Sequence, residues 1–207
     1  MSRSILIADD HPLFRQAIAM AAAKVAPDAR LLEAGTLARA AEAAAAGDDL
    51  ALILLDLKMP GASGYSGVAL LHAERPGVPI LVISSAEGAE VAREARAFGA
   101  VGFIGKGRDL GEIEDAIARA LAGQRLAERG DPEVEAVAET VAGLTPTQLK
   151  VLLGLLEGRL NKQIAHDLGI TEATVKAHVT AILKKLDVRN RTQAVLAARA
   201  LGLGVKH

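Results

Sequence analysis

The stretch ALILLDLKMPG, residues 51–61, sets the problem. Ala51 to Leu55 are five apolar residues in a row, the texture of a strand buried on both faces. The run stops on a carboxylate, Asp56, and Lys58 and a Pro60-Gly61 turn follow. A buried strand that delivers an acid to its own end sets that acid at a sheet edge, where parallel α/β sheets collect ligands.

The flanking chain repeats the pattern. The apolar runs SILIA, ARLLEA, LALILL, VPILVIS and VGFI alternate with helical periods over residues 11–25, 36–46, about 65–75, 87–97 and about 110–123. Five such βα units predict a five-stranded parallel sheet with helices packed on it. The alanine-rich AAEAAAAG reads as a surface helix ended by Gly47. After each strand stands a chemically useful residue: Asp9 and Asp10, then Asp56, Ser84 and Lys106. All five fall at one edge of the predicted sheet. Clustered carboxylates repel unless a hard cation joins them, and Mg2+ suits a site of few carboxylates. Lys106 and Ser84 facing such a site are what an incoming phosphoryl group needs. Asp56, at the end of a central strand, is the candidate nucleophile, and Asp9 and Asp10 are candidate metal ligands. Singly, each has a plainer reading as a turn former or a solvated charge; together, in this order, the five are harder to dismiss.

Composition divides the chain. Residues 1–143 carry 14 Lys+Arg against 21 Asp+Glu, and residues 144–207 carry 10 against 4, so a net −7 body precedes a net +6 module. Such a module suits a polyanion. Residues 125–143, broken by Gly130-Asp131-Pro132, read as a linker between domains spanning 1–124 and 144–207. From Leu144 the texture is helical only, with four helices in about sixty residues. Thr145, Pro146 and Gln148 form a capping-box start, and Leu144 with Leu149 form its hydrophobic staple. In the third of these helices Val175, Val179, Ile182 and Leu186 make a buried stripe, and Lys176, Ala177, Thr180 and Lys184 lie opposite. A short helix, a turn at Gly169 and this helix spell helix-turn-helix, so Thr174, Lys176, Ala177, Thr180 and Lys184 are candidate DNA contacts. In the last helix Ala194, Val195, Ala198 and Leu201 form a small apolar face, the candidate dimer contact.

The chain has no cysteine, which excludes disulfide frameworks, thiolate chemistry and Cys-based zinc sites. No apolar run approaches the roughly 20 residues of a membrane span, and the first residues lead directly into a strand. A cytoplasmic protein without a membrane partner is expected.

ILIADDHPLFR, LILLDLKMPGASG, ILVISSA and GAVGFIGKG, over about residues 3–124, resemble the receiver domains of two-component response regulators. LTPTQLKVLLGLLEGRLNKQIAHDLGITEATVKAHVTAILKKLDVRNRTQAV is similar to the LuxR-type DNA-binding domain, and the combination resembles a NarL/FixJ-type regulator. The resemblance implies a flavodoxin-like α/β receiver followed by an all-α four-helix helix-turn-helix domain. It implies phosphoryl transfer from a sensor histidine kinase to Asp56, and Mg2+ held by Asp10, Asp56 and the Lys58 carbonyl with Asp9 close by. It further implies Ser84 and Phe103 as a switch pair, operator DNA as partner, and a homodimer when phosphorylated or DNA-bound. Phe103 stands where tyrosine is commoner, and GKG lacks the frequent Lys-Pro. Two other readings use the same features. An aspartyl-phosphate phosphatase would carry a DxD after its first strand, whereas this chain has Asp9-Asp10 there. A ligand-sensing LuxR-type regulator usually has an aromatic pocket, and this chain has no Trp and one Tyr. A non-enzymatic transcription regulator is therefore the expected class.

Overall fold

The computed structural model describes residues 3–47, 49–85, 89–124, 143–200 and 203. Five strands, β1 (Ser4–Ala8), β2 (Arg30–Ala34), β3 (Leu50–Leu55), β4 (Ile80–Ser84) and β5 (Ala100–Gly105), form one sheet in the order β2-β1-β3-β4-β5. Every pairing is parallel. Between them run α1 (Pro12–Val25), α2 (Leu37–Ala46), α3 (Ser66–Glu74) and α4 (Ala89–Ala97), with α5 (Leu110–Leu121) after β5.

The period-2 alternation along each strand sends its residues into two cores. Leu6, Ile53, Leu55, Ile80 and Val82 pack with α2 and α3 through Leu37, Ala40, Ala44, Val68 and Leu71. Ile5, Ile7, Leu52, Leu54, Leu81 and Ile83 pack with α1 and α5 through Ile18, Ala22, Ile113 and Ile117. Each fully buried Ile or Leu contributes about 1.5–3 kcal/mol relative to exposure, so the central strands anchor the fold. The alanine-rich α2 is more than a surface helix, because Ala40, Ala41 and Ala44 are buried. Gly47 stays at φ −91, outside the left-handed region, so it does not supply the expected glycine cap. The guanidinium of Arg75 donates instead to the carbonyls of Ala44, Ala45 and Gly47.

Gly99 joins α4 to β5 at φ +105, and a Cβ there would meet the His72 ring at 2.6 Å. Gly99→Ala should therefore lower stability by about 2–4 kcal/mol, combining left-handed strain with overpacking. An unchanged denaturation midpoint in a urea titration would contradict this.

The C-terminal helices are α6 (Pro146–Leu156), α7 (Asn161–Leu168), α8 (Glu172–Lys185) and α9 (Arg191–Ala200). Thr145 and Gln148 form the expected capping box. Gly169 takes the left-handed conformation, φ 65, that closes α7 and turns the chain into α8. The helical unit docks on the α/β unit: Lys150 of α6 pairs with Glu74 of α3 at 2.8 Å. Leu203, fully buried, forms an antiparallel bridge with Gly64 in the loop after β3. Except for Gly143, the linker expected over 125–143 lies outside the described residues.

Candidate functional site

β1 and β3 end side by side, since Ala8 pairs with Leu55, so Asp9 and Asp56 leave the sheet as neighbours. The Asp56 amide donates to the Ala8 carbonyl at 2.8 Å, which carries the pairing one residue further. Both acids are almost fully buried, at 1% and 2% exposure, while Asp10 is one third exposed. Lys106 reaches them from the end of β5, where its amide donates to the Ser84 carbonyl. Its Nζ lies 2.7 Å from Asp9 Oδ2 and 2.7 Å from Asp56 Oδ2. Backbone donors fix the other carboxylate oxygens: His11 N–H donates to Asp9 Oδ1 at 2.8 Å and Lys58 N–H to Asp56 Oδ1 at 3.1 Å. Ser84 is fully buried at the end of β4. Phe103, on the register neighbour of Val82 in β5, is half-buried against the α2–α3 side of the sheet.

Asp9, Asp10, Asp56 and His11 each bring one possible ligand atom to within 4.8 Å of the others. Asp9 and Asp56 share a single ammonium, and Asp10 adds a third carboxylate beside them, so negative charge is in excess. Their hard oxygen donors fit a small divalent cation such as Mg2+. His11 Nδ1 lies 2.8 Å from Asp10 Oδ1, which holds the more exposed acid beside the site. Sequence reading missed Arg15, whose Nη1 donates to the Asp9 carbonyl while its Nε pairs with Glu33 at 2.7 Å. Arg15 thereby ties the Asp9 turn to β2. It lies in the first turns of α1, which begins two residues after Asp10, and that placement was the available signal.

In the helical unit, Val175 and Ile182 are buried and Val179 and Leu186 half-buried against the same core, as the stripe requires. Lys176, Ala177, Thr180 and Lys184 are all exposed on α8. Lys176 Nζ lies 3.4 Å from Glu172 of the preceding turn. Thr174 is exposed, but its amide and hydroxyl are bound to the capping Thr171, so it is first a structural residue. Two other cations of this unit are occupied: Lys185 donates to Gly143 and Gln148, and Arg159 pairs with Glu157 and Asp167.

Family models match both units: "Response regulator receiver domain" over residues 5–118 and "Bacterial regulatory proteins, luxR family" over residues 142–198. The chain belongs to the response regulators with a LuxR-type DNA-binding domain. This response regulator is 42% identical to the glycerol metabolism activator of Pseudomonas putida, with 94% of each chain covered. It is 32% identical to the nitrate/nitrite response regulator protein NarL of Escherichia coli, with 93% of each covered. Its fold is that of the RcsB response regulator of Salmonella typhimurium, with a TM-score of 0.55 at 20% identity, covering 96% of this chain and 98% of that one.

The regulator's α9 departs from the expected dimer face. Ala194 and Ala198 are fully buried, because α9 spends its alanines packing on α6 and α8, and Val195 is half-buried on the same core. Leu201 lies outside the described residues. The outward apolar residue of α9 is Leu196, at 60% exposure, which a period count centred on the alanines overlooked. Among the described residues of the regulator, no helix is long and apolar enough to cross a membrane.

Proposed function

We propose that this regulator receives a phosphoryl group on Asp56 from a sensor histidine kinase, and that phosphorylation controls its binding to operator DNA. The observation that carries the reading is the meeting of Asp9, Asp56 and Lys106 within 2.7 Å contacts in a nearly buried pocket at the carboxyl edge of the sheet. Asp10, Asp56 and the Lys58 carbonyl would hold Mg2+, with Asp9 close by, and the ion supplies charge neutralisation for the transferring phosphoryl oxygens. An oxygen of Asp56 bonds to phosphorus as the bond from phosphorus to the donor imidazole nitrogen breaks, and the electron pair leaves with the imidazole. Lys106 moves from its carboxylate partners to the new phosphoryl oxygens, which carry the charge it must pair. The Ser84 hydroxyl donates to the same group, and Phe103, on the adjacent strand, completes the switch pair. Burial keeps bulk water from Asp56 during transfer. On this reading the pocket modifies its own aspartate and does not turn over phosphomonoesters. The site of action is the cytoplasm, where kinase and operator are both reached.

The exposed face of α8 supports major-groove entry, with Lys176, Ala177 and Thr180 toward base edges and Lys184 toward phosphate. Because that face is already open, control acts elsewhere. The phosphoacceptor loop carries Gly64, whose bridge to Leu203 and the Glu74–Lys150 pair hold the helical unit on the receiver. Phosphorylation shifts the population away from this docked state and lets two released modules come together through Leu196 of α9, on half-sites about one DNA turn apart.

Lys184→Ala should weaken specific and non-specific DNA alike and lower the slope of log K against log salt by about 1. Anisotropy titrations across a salt series measure it, and an unchanged slope would show a merely solvated lysine. The experiment for the whole reading is intact-mass analysis after exposure to acetyl phosphate and Mg2+, which should add one phosphoryl group.

A further inference from the structure

We propose that Phe14, in the first turn of α1, is the positioning residue for Lys106, and that its ring face sets the rate of phosphoryl transfer through that lysine. The proposal rests on the reading of Asp56 as phosphoacceptor. The Lys106 ammonium sits 4.6 Å from the centroid of the Phe14 ring while it also touches Asp9 Oδ2 and Asp56 Oδ2. Two of the directions around Nζ are thus taken by carboxylates and a third by an aromatic face. A cation over a ring within about 6 Å is attracted by the ring quadrupole, and more strongly where water is scarce. Water is scarce here, since the Lys106 side chain is only 13% exposed.

The ring has its own anchor. Phe14 is half-buried and packs on the α1–α5 core, whereas the preceding Leu13 is 83% exposed and takes no part. Lysine carries its charge on a flexible four-carbon stem, so two carboxylates alone leave the ammonium free to move as those carboxylates take up other partners. When a phosphoryl group arrives and Asp56 becomes an acyl phosphate, the ring is a contact of the Lys106 ammonium that neither transfers charge nor changes partner. It keeps the ammonium inside the pocket, beside the oxygen that must be neutralised. Leucine at this position would fill the apolar space without a π face; tyrosine would keep the face.

The test uses the full chain as wild type, Phe14→Leu and Phe14→Tyr, each also in a Lys106→Met background. Proton–carbon NMR should find the Lys106 ε-methylene shifted upfield by the ring in wild type and Phe14→Tyr, and returned to the ordinary lysine position in Phe14→Leu. Labelling of Asp56 by acetyl phosphate with Mg2+ should slow by about 3- to 10-fold in Phe14→Leu, the rate equivalent of one ring–ammonium contact. Phe14→Tyr should stay within about twofold of wild type on the same scale. In the Lys106→Met background, Phe14→Leu should slow labelling no further. An unshifted ε-methylene in wild type overturns the contact. Equal slowing with and without Lys106 overturns the positioning role and marks Phe14 as packing alone. A shifted ε-methylene in a wild-type chain that takes no label leaves the contact standing but overturns the phosphoacceptor reading and the kinetic role with it.

Discussion

Asp56→Asn should abolish phosphoryl labelling by acetyl phosphate and by a partner kinase alike, with no change of fold. The amide is nearly isosteric, and its oxygen can still accept the Lys58 N–H bond now made to Asp56 Oδ1. What it loses is the anionic nucleophile: an amide oxygen cannot leave a stable acyl phosphate behind. It also removes one negative charge from a pocket where Asp9 and Asp56 share the Lys106 ammonium, so Lys106 stays paired with Asp9. Labelling should fall below detection in intact-mass spectra, and residual labelling should not map to the same peptide. Equal labelling of the variant and wild type would move the acceptor elsewhere. Asp9, which shares the Lys106 ammonium with Asp56, and Asp10, one third exposed and held by His11, are the alternative nucleophiles, and peptide mapping separates both from Asp56.

Ala177→Glu should weaken operator binding on the order of 100-fold, because it combines a lost groove fit with like-charge repulsion. Ala177 is exposed on α8, on the face that also carries Lys176, Thr180 and Lys184. A small side chain there lets the helix approach the groove closely; a carboxylate would have to stand against the phosphate field without a partner cation. Among its neighbours on this face, Lys176 already lies beside Glu172, so it cannot neutralise the new charge without breaking that pair. The substitution touches none of the buried stripe of Val175 and Ile182, so thermal stability should be nearly unchanged. Fluorescence anisotropy on an operator selected from random-sequence DNA measures the loss. Wild-type affinity in the variant would show that α8 does not enter the groove.

Much of the fold was legible because its signals are local. The buried parallel strands are continuous apolar runs, and a strand that ends on Asp56 announces an edge whatever the rest of the chain does. The capping box at Thr145 and the left-handed Gly169 turn are likewise written within a few residues. What escaped reading consists of contacts between residues far apart in sequence. Arg75 capping α2, Lys150 pairing with Glu74 and Leu203 bridging Gly64 have no period and no spacing to betray them. Ala194 and Ala198 of α9 read outward for another reason: an apolar stripe of alanines fits a domain core as well as a partner, and here both are buried inside the domain. At the acidic pocket, the residue types were legible but the supports were not. Phe14 and Arg15 belong to α1 by period, and only the path of that helix past the ends of β1 and β3 brings them to the site.

The most direct test of the central claim is the affinity of the selected operator for wild type and Asp56→Asn, each measured before and after treatment with acetyl phosphate and Mg2+. Wild type should tighten on the order of tenfold on treatment, in proportion to the fraction labelled, and Asp56→Asn should not respond. A fully labelled wild type with unchanged affinity, or the same gain in Asp56→Asn, would contradict control of DNA binding through this aspartate.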